Sequence, residues 1–337
     1  MKPDSQLRNH SGFAILCIVL ALHSCQIIQA QPSGNPHQFD QGSDHGYLFM
    51  GPRDQINTKR IKEDRYITAF ISKGAVVTAN PESPWYHAAC FAHGSVITDK
   101  EGQILKEVTI YETTDAQGDL TWSVLWYPEG EGSQGTFTLI QGTGKWAGIM
   151  GQGQTTDVVT DRSDQHIMPS YAINWEIDEI NAPFSDSIQG KENYQYMDRC
   201  LSFHGPHEFL ESRELNNGIS LEFSSQSGVL MSMLGLETES PRNGATCFDR
   251  GNTVKLHGKT QGDVMLLEDT DADGDVVWLY HIWWYNKGPG IYHFIGGTGK
   301  WEGIQGLGVT RGMFKGRSDD HYMLKSELHW NLPSLQE

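Results

Sequence analysis

The chain is poor in cysteine, in basic residues and in long apolar runs, and each scarcity excludes something. Five cysteines occur in 337 residues. Beyond the first thirty positions only Cys90, Cys200 and Cys247 remain, so at most one intrachain bridge can form and a disulfide scaffold is excluded. Stability must therefore come from packing. The 25 Lys and Arg face 42 Asp and Glu, a net charge of -17. With no local basic stripe, neither nucleic acid nor an anionic membrane is expected as a partner. A convincing helix-length amphipathic period is also missing.

The uninterrupted apolar run Phe13–Leu22, about half the roughly 20 residues of a membrane span, lies behind Lys2 and Arg8. It reads as the core of an export signal, which predicts a secreted or periplasmic protein with no stable membrane span in the mature form. Cleavage after Ala30 would put Ile28 at the -3 position, which usually holds a small residue. In a second reading, LHSC makes Cys25 a lipidated N-terminal cysteine, although His23 and Ser24 fit a lipobox poorly; a retained anchor is the third. Residues 31–65, rich in Gly, Pro, Asp and Gln, read as a loose acidic and polar arm, with folding expected to begin near Tyr66.

What the chain does have is an internal copy. IQGTGKWAGIMGQG (140–153) returns as IGGTGKWEGIQGLG (295–308), and RSDQHIM (162–168) returns as RSDDHYM (317–323), both at an offset of 155. ACF at 89–91 answers TCF at 246–248, and Glu112, Asp115, Gly118, Asp119 and Trp122 answer Glu268, Asp271, Gly274, Asp275 and Trp278. A shared order with so little drift implies two copies of one domain, expected at 66–180 and 197–332 with a linker at 181–196. Within each copy the segments are short, β-branched and aromatic, separated by turn signals, which predicts antiparallel strands and an all-β protein. Closing such a meander into a barrel removes its edges. Val276–Trp284 is apolar on both alternating faces, so one face can fill a barrel while the other meets the sister domain.

The segment GTGKWAGIMGQG is read as structural, with glycines allowing a tight turn and Trp146 plugging a barrel end. Lys145 is followed by Trp146 and not by Ser or Thr, so the segment is not a phosphate-cradling loop. These two glycine segments, each before a further strand pair, resemble the allene oxide cyclase barrel family and its dirigent-like relatives. The resemblance implies two tandem, packed, eight-stranded calycin-like barrels with an apolar cavity. It also implies cofactor-independent handling of hydrophobic intermediates, as some members of that family cyclise or steer them.

Several residues could carry chemistry. Arg162, Asp164 and His166 recur as Arg317, Asp319 and His321; on a strand Asp164 and His166 would share a face and could orient a substrate, or the same segment could be a hydrogen-bonded turn. Glu112 and Glu268 would be general acids or bases if they pointed into a closed cavity, and solvated rim carboxylates otherwise. Cys90 and Cys247 could offer thiols to a cavity or simply pack. Trp122, Trp126, Trp278 and Trp283 could line a ligand cavity or fill cores and domain contacts. DTDADGD (269–275) has calcium-loop spacing, but position 12 is Tyr280, so a hairpin turn explains it better. One His and one Asp per RSD cluster are too few for a zinc site, and neither metal nor cofactor is expected. The expected function is capture of a hydrophobic or amphipathic small molecule; the alternatives are an isomerase or cyclase using the same cavity, and a structural or interaction module. A homodimer is compatible with the sequence. The second copy's LYHIWWYNKGPG differs in polarity and bulk from SVLWYPEGEGSQ in the first, so one barrel can bind while the other packs.

Overall fold

The structure, a computed structural model, describes residues 41–128, 134–160, 167–177, 191–215, 218–233, 240–285, 288–315 and 321–333. The first sheet contains β1 (Gln41–Met50), β2 (Asp54–Lys62), β3 (Arg65–Thr78), β4 (Ala89–Asp99), β5 (Ile104–Thr114), β6 (Leu120–Tyr127), β7 (Gly135–Gly142), β8 (Ile149–Thr160) and β9 (Ile167–Ile177). The second contains β10 (Tyr196–His204), β11 (Glu208–Glu214), β12 (Ile219–Ser232), β13 (Thr246–Leu256), β14 (Lys259–Thr270), β15 (Val276–Trp284), β16 (Ile291–Gly297), β17 (Gln305–Lys315) and β18 (Tyr322–Asn331). All pairings are antiparallel. β1 bonds to both β9 and β3, and β10 to both β18 and β12, so each sheet closes into an eight-stranded barrel. β2 and β11 lie outside the rings, against the first halves of β3 and β12. No helix among the described residues is long and apolar enough to cross a membrane.

Two strands occupy part of the stretch expected to be a loose arm. In β1, Asp44, Leu48 and Met50 are buried while Gln41, Ser43 and Tyr47 are exposed, the alternation of a barrel stave. The strand is hard to read because glycines stand where larger inward residues would announce it. A Cβ on Gly42 would meet the Trp175 ring of β9 at 2.4 Å, so the neighbouring strand supplies the apolar bulk instead.

β4 to β6 and β13 to β15 are buried on both faces. In β4, Cys90 and Ala92 join the interior of the first barrel, whereas Ile97 belongs to a core built from the outer faces of both barrels. That shared core joins Ile67, Val108, Ile110 and Trp122 to Leu221, Val264, Leu266 and Trp278. Its rings cross the boundary: Trp122 lies 6.2 Å from Trp284 and Trp126 lies 5.5 Å from Trp278, centroid to centroid. The apolar faces of VVWLYHIWW therefore have the two destinations the sequence suggested.

The glycine-rich turns close one end of each barrel. In the first, Gly144 has a φ of 55° and a Cβ there would meet Asp119 Oδ1 at 1.8 Å. Trp146 is buried edge-on to Trp175, 5.7 Å between centroids, and its Nε1 donates to Asp115 Oδ2 at 2.9 Å. Trp301 donates to Asp271 at 2.8 Å in the same way. Asp271 also accepts from the backbone amides of Asp273 and Asp275, so DTDADGD is the hydrogen-bonded hairpin turn that the sequence favoured over a calcium loop.

Burial alone would raise the pKa of Asp115 and Asp271, yet hydrogen bonds from Lys145 and Trp146, and from Lys300 and Trp301, hold both below the ordinary 3.8. A carboxylate with a lowered folded pKa adds stability that is present above its unfolded pKa and lost as pH falls through the folded one. Melting temperature should therefore drop as pH falls below about 3.8, and D115N/D271N should flatten that slope. Thermal unfolding between pH 2 and 6 checks it; an unchanged slope would count against the two turns.

Candidate functional site

The sequence-derived candidates separate into distinct places. Glu112 and Glu268 lie between the barrels, on the outer faces of β5 and β14, and both are buried, so they are neither the cavity acids nor the solvated rim carboxylates that the sequence offered. Glu112 Oε1 is 2.9 Å from Arg213 Nη1 of β11, and Trp122 Nε1 donates to Glu112 Oε2 at 3.3 Å. Glu268 Oε1 is 3.2 Å from Lys59 Nζ of β2, while Ser95 donates to Oε2 at 2.5 Å. Lys59 opposes Ile67 on β3 as Arg213 opposes Leu221 on β12, so each barrel reaches across with the same strand position. Burial raises the Glu112 pKa, opposed by Arg213. Trp122, Trp126 and Trp278 belong to this interface too, not to a lumen. Removing one partner of a buried pair strands the other charge, so Arg213→Ala should destabilise the protein by about 3–5 kcal/mol. Urea unfolding checks this, with Glu112→Gln added to the variant expected to restore part of the loss.

Cys90 packs inside the first barrel and Cys247 inside the second; among the described residues Cys90, Cys200 and Cys247 are free and buried. Burial pushes all three thiols above their ordinary pKa. His321 is exposed just before β18. Arg162, Asp164, His166, Arg317 and Asp319 lie outside the described residues.

Trp283 is the one tryptophan of the four that faces a cavity. The second barrel encloses about 400 Å³, lined along β12–β16 and β18 by Ser224, Gln226, Asp249, Asp263, His281, Trp283, Tyr285, Tyr292 and Tyr322, with His207 at the approach to β11. His281 Nε2 lies 3.2 Å from Thr310 Oγ1, and its ring stacks on Tyr292 at 4.4 Å. Tyr292 in turn accepts from Ser326 at 3.1 Å. Tyr285 donates to Asp263 Oδ2 at 2.5 Å, and Thr253 donates to Asp263 Oδ1 at 2.9 Å. Burial lowers His281 to about 3 and also lowers His207, so both imidazoles are neutral at pH 7. Asp263 is raised by burial, against the hydrogen bonds of Tyr285 and Thr253. The lumen thus combines aromatic walls, neutral imidazoles and acceptor oxygens, and is more polar than the apolar cavity expected.

Deeper in the same lumen, Arg242 Nε lies 2.7 Å from Asp269 Oδ2, both fully buried. Burial pushes Asp269 up to about 6 against the pull of Arg242. In the first barrel Trp85 occupies the place of Arg242: the backbone amides of both residues donate to the hydroxyl oxygen of a serine two positions earlier, Ser83 or Ser240. Each serine is bonded to the matching carboxylate of its first strand, Asp44 or Asp198.

Strand register makes the comparison residue by residue. Ala92 pairs with Ser72 as Asp249 pairs with Gln226; Leu125 pairs with Phe137 as His281 pairs with Tyr292; Met50 pairs with Gly74 as His204 pairs with Gly228. At the mouth, Gln55 opposes Phe70 as Phe209 opposes Ser224, which sets Arg53 against His207. Arg53 Nη2 donates to Glu107 Oε2 at 2.7 Å, and its guanidinium lies 4.6 Å from the Phe70 ring centroid. Glu107 opposes Tyr127 as Asp263 opposes Trp283. The first barrel is thus plugged by an ion pair over a phenyl ring where the second opens. A larger groove of about 940 Å³ runs along β1, β7, β8 and β9 and reaches the stacked Tyr280 and His293 of the second barrel; burial lowers His293 to about 4, and Glu176 is the one carboxylate among its lining residues.

The residues missed from the sequence, among them His204, His207, Gln226, Asp249, Asp263, His281, Tyr292 and Tyr322, carry no motif. Their signal is the contrast between copies: two positions beyond each matched cysteine, Ala92 stands against Asp249.

The architecture defines a double-barrel protein with one open lumen among the described residues. No family model matches the chain, and no curated protein matches it. Among solved structures it is similar to that of the pterocarpan synthase dirigent protein GePTS1, with 11% sequence identity and a TM-score of 0.30, covering 45% of this chain and 99% of that one.

Proposed function

We propose that the second barrel binds a small amphipathic molecule in its lumen and that the first barrel is its structural partner. One observation carries this: a cavity of about 400 Å³, within the roughly 300–1,000 Å³ typical of ligand pockets, opens at register positions that the first barrel fills with Arg53, Glu107 and Phe70. Trp283, Tyr285, Tyr292 and Tyr322 line it with aromatic surface, which favours a planar or aromatic occupant. Asp249 Oδ1 and Gln226 Oε1 are buried acceptors without a hydrogen-bond partner, which favours an occupant bearing a hydroxyl or amine donor. The fit is to a small ring compound with one polar end. Export of the chain, read from Phe13–Leu22, belongs to the same proposal and is checked by N-terminal sequencing of protein recovered outside the cytoplasm.

The test transplants the plug. H207R/S224F/D263E places the first barrel's mouth residues in the second. Native mass spectrometry and thermal shift across a library of phenols and aromatic amines should detect occupancy of the wild type. Affinity should fall at least tenfold in the plugged variant while its circular dichroism is unchanged. Equal affinity of both proteins for every ligand would place binding elsewhere, and no ligand for the wild type would move the protein to the structural class.

A further inference from the structure

Beneath the cavity lie three side chains of metal-ligand type on two strands. Cys247 and Asp249 are two apart on β13, so both point inward. His204 ends β10 and shares a cross-strand row with Cys247 through Gly228 of β12. A Cβ on Gly228 would come within 2.8 Å of Cys247 Sγ, so the glycine keeps the space around the sulfur open. His204 Nδ1 is 3.1 Å from Asp249 Oδ2 and 4.0 Å from Cys247 Sγ, and the three ligand atoms lie within 4.8 Å of one another. Zinc bonds of about 2.0–2.3 Å in tetrahedral array place ligand atoms about 3.3–3.6 Å apart; the two His204 separations are within about half an ångström of this, and the Cys247–Asp249 pair has to close on binding from a separation within 4.8 Å.

We propose that the second barrel binds one borderline-soft divalent transition-metal ion, Zn²⁺ before others, between His204, Cys247 and Asp249. Observations besides the distances support it. Asp249 Oδ1 and the neighbouring Gln226 Oε1 are buried acceptors with no donor, a deficit a cation fills, and His204 Nε2 is buried without a partner beside them. The nearby cation Arg242 is already engaged by Asp269 at 2.7 Å. A thiolate and a carboxylate together neutralise a divalent ion, and thiolate with imidazole selects zinc or cobalt over calcium or magnesium. The His204 ring is held in plane by Tyr322, 4.8 Å away and inclined by 19°. Asp249 and Gln226 also line the cavity, so the fourth coordination position borders it, open to water or to the polar end of an occupant. The first barrel keeps Cys90 but has Met50 and Ala92 at the other two positions, which sets the stoichiometry at one per chain.

Cobalt(II) titration of the reduced, chelator-treated full chain tests this. One equivalent should produce a thiolate-to-cobalt charge-transfer band in the near ultraviolet with intense tetrahedral visible bands, and one equivalent of Zn²⁺ should bleach both. Cys247→Ser should abolish the near-ultraviolet band. Asp249→Asn and His204→Gln should weaken binding at least about 100-fold, beyond the 10- to 100-fold of outer-shell changes, while Cys90→Ser and Cys200→Ser leave it intact. A folded wild type that shows no such band, or a band that survives Cys247→Ser, overturns the site. The H207R/S224F/D263E protein should still take one cobalt ion, so failure of cavity binding and failure of the metal site are separable.

Discussion

The burial of one barrel's outer wall against the other's is the constraint on which the rest depends. A lone closed barrel has one buried face per strand and shows water the other. Here β4 to β6 and β13 to β15 have none to show, because Ile110, Trp122 and Val124 meet Leu266, Trp278 and Ile282 in one core. Apolar area drives this contact, at roughly 1.5–3 kcal/mol for each large side chain fully buried. The charged residues within it act differently. Desolvation offsets most of the gain from a buried ion pair, so Glu112 with Arg213 and Glu268 with Lys59 fix which strand positions meet more than they strengthen the contact.

Duplication then separates two tasks that compete within a single barrel. A lumen packed with Trp85, Tyr111, Phe137 and Tyr171 is stable and has little room. A lumen lined by Asp249, His281 and Tyr322 has room and chemistry, at a cost in burial of polar groups. Because both barrels share one interface core, the packed copy supports the polar one. The inward positions differ in chemistry, while the turn tryptophans Trp146 and Trp301, with their aspartate acceptors, remain alike in both.

Within the open lumen, low dielectric shapes the chemistry. Burial keeps His281 and His207 neutral and raises the tyrosines that line the cavity, so at pH 7 the walls present hydroxyls and uncharged imidazoles. The cations Arg242 and Lys255 are each paired with a carboxylate, Asp269 and Glu222, which leaves Asp249 and Asp263 in excess. Such an interior favours donors and cations over anions, in keeping with a polar-ended ring compound above and a metal ion below.

The duplication, the all-β class and the two destinations of the 276–284 faces were legible in the sequence, because repeated motifs and alternating apolar residues are local patterns that survive without a third dimension. So was the structural role of the GTGKW turns. The strands at 41–62 were not, since Gly42 and Gly46 leave their bulk to Trp175 and Tyr171 of a strand more than a hundred residues away. Tertiary structure alone decided which way each face of a doubly apolar strand turned, and so sent Glu112, Glu268, Trp122, Trp126 and Trp278 to the interface and Trp283 to the cavity. It alone brought His204 beside Cys247 and Asp249, because barrel closure pairs β10 with β12, and no spacing along the chain encodes a contact made by closing a ring.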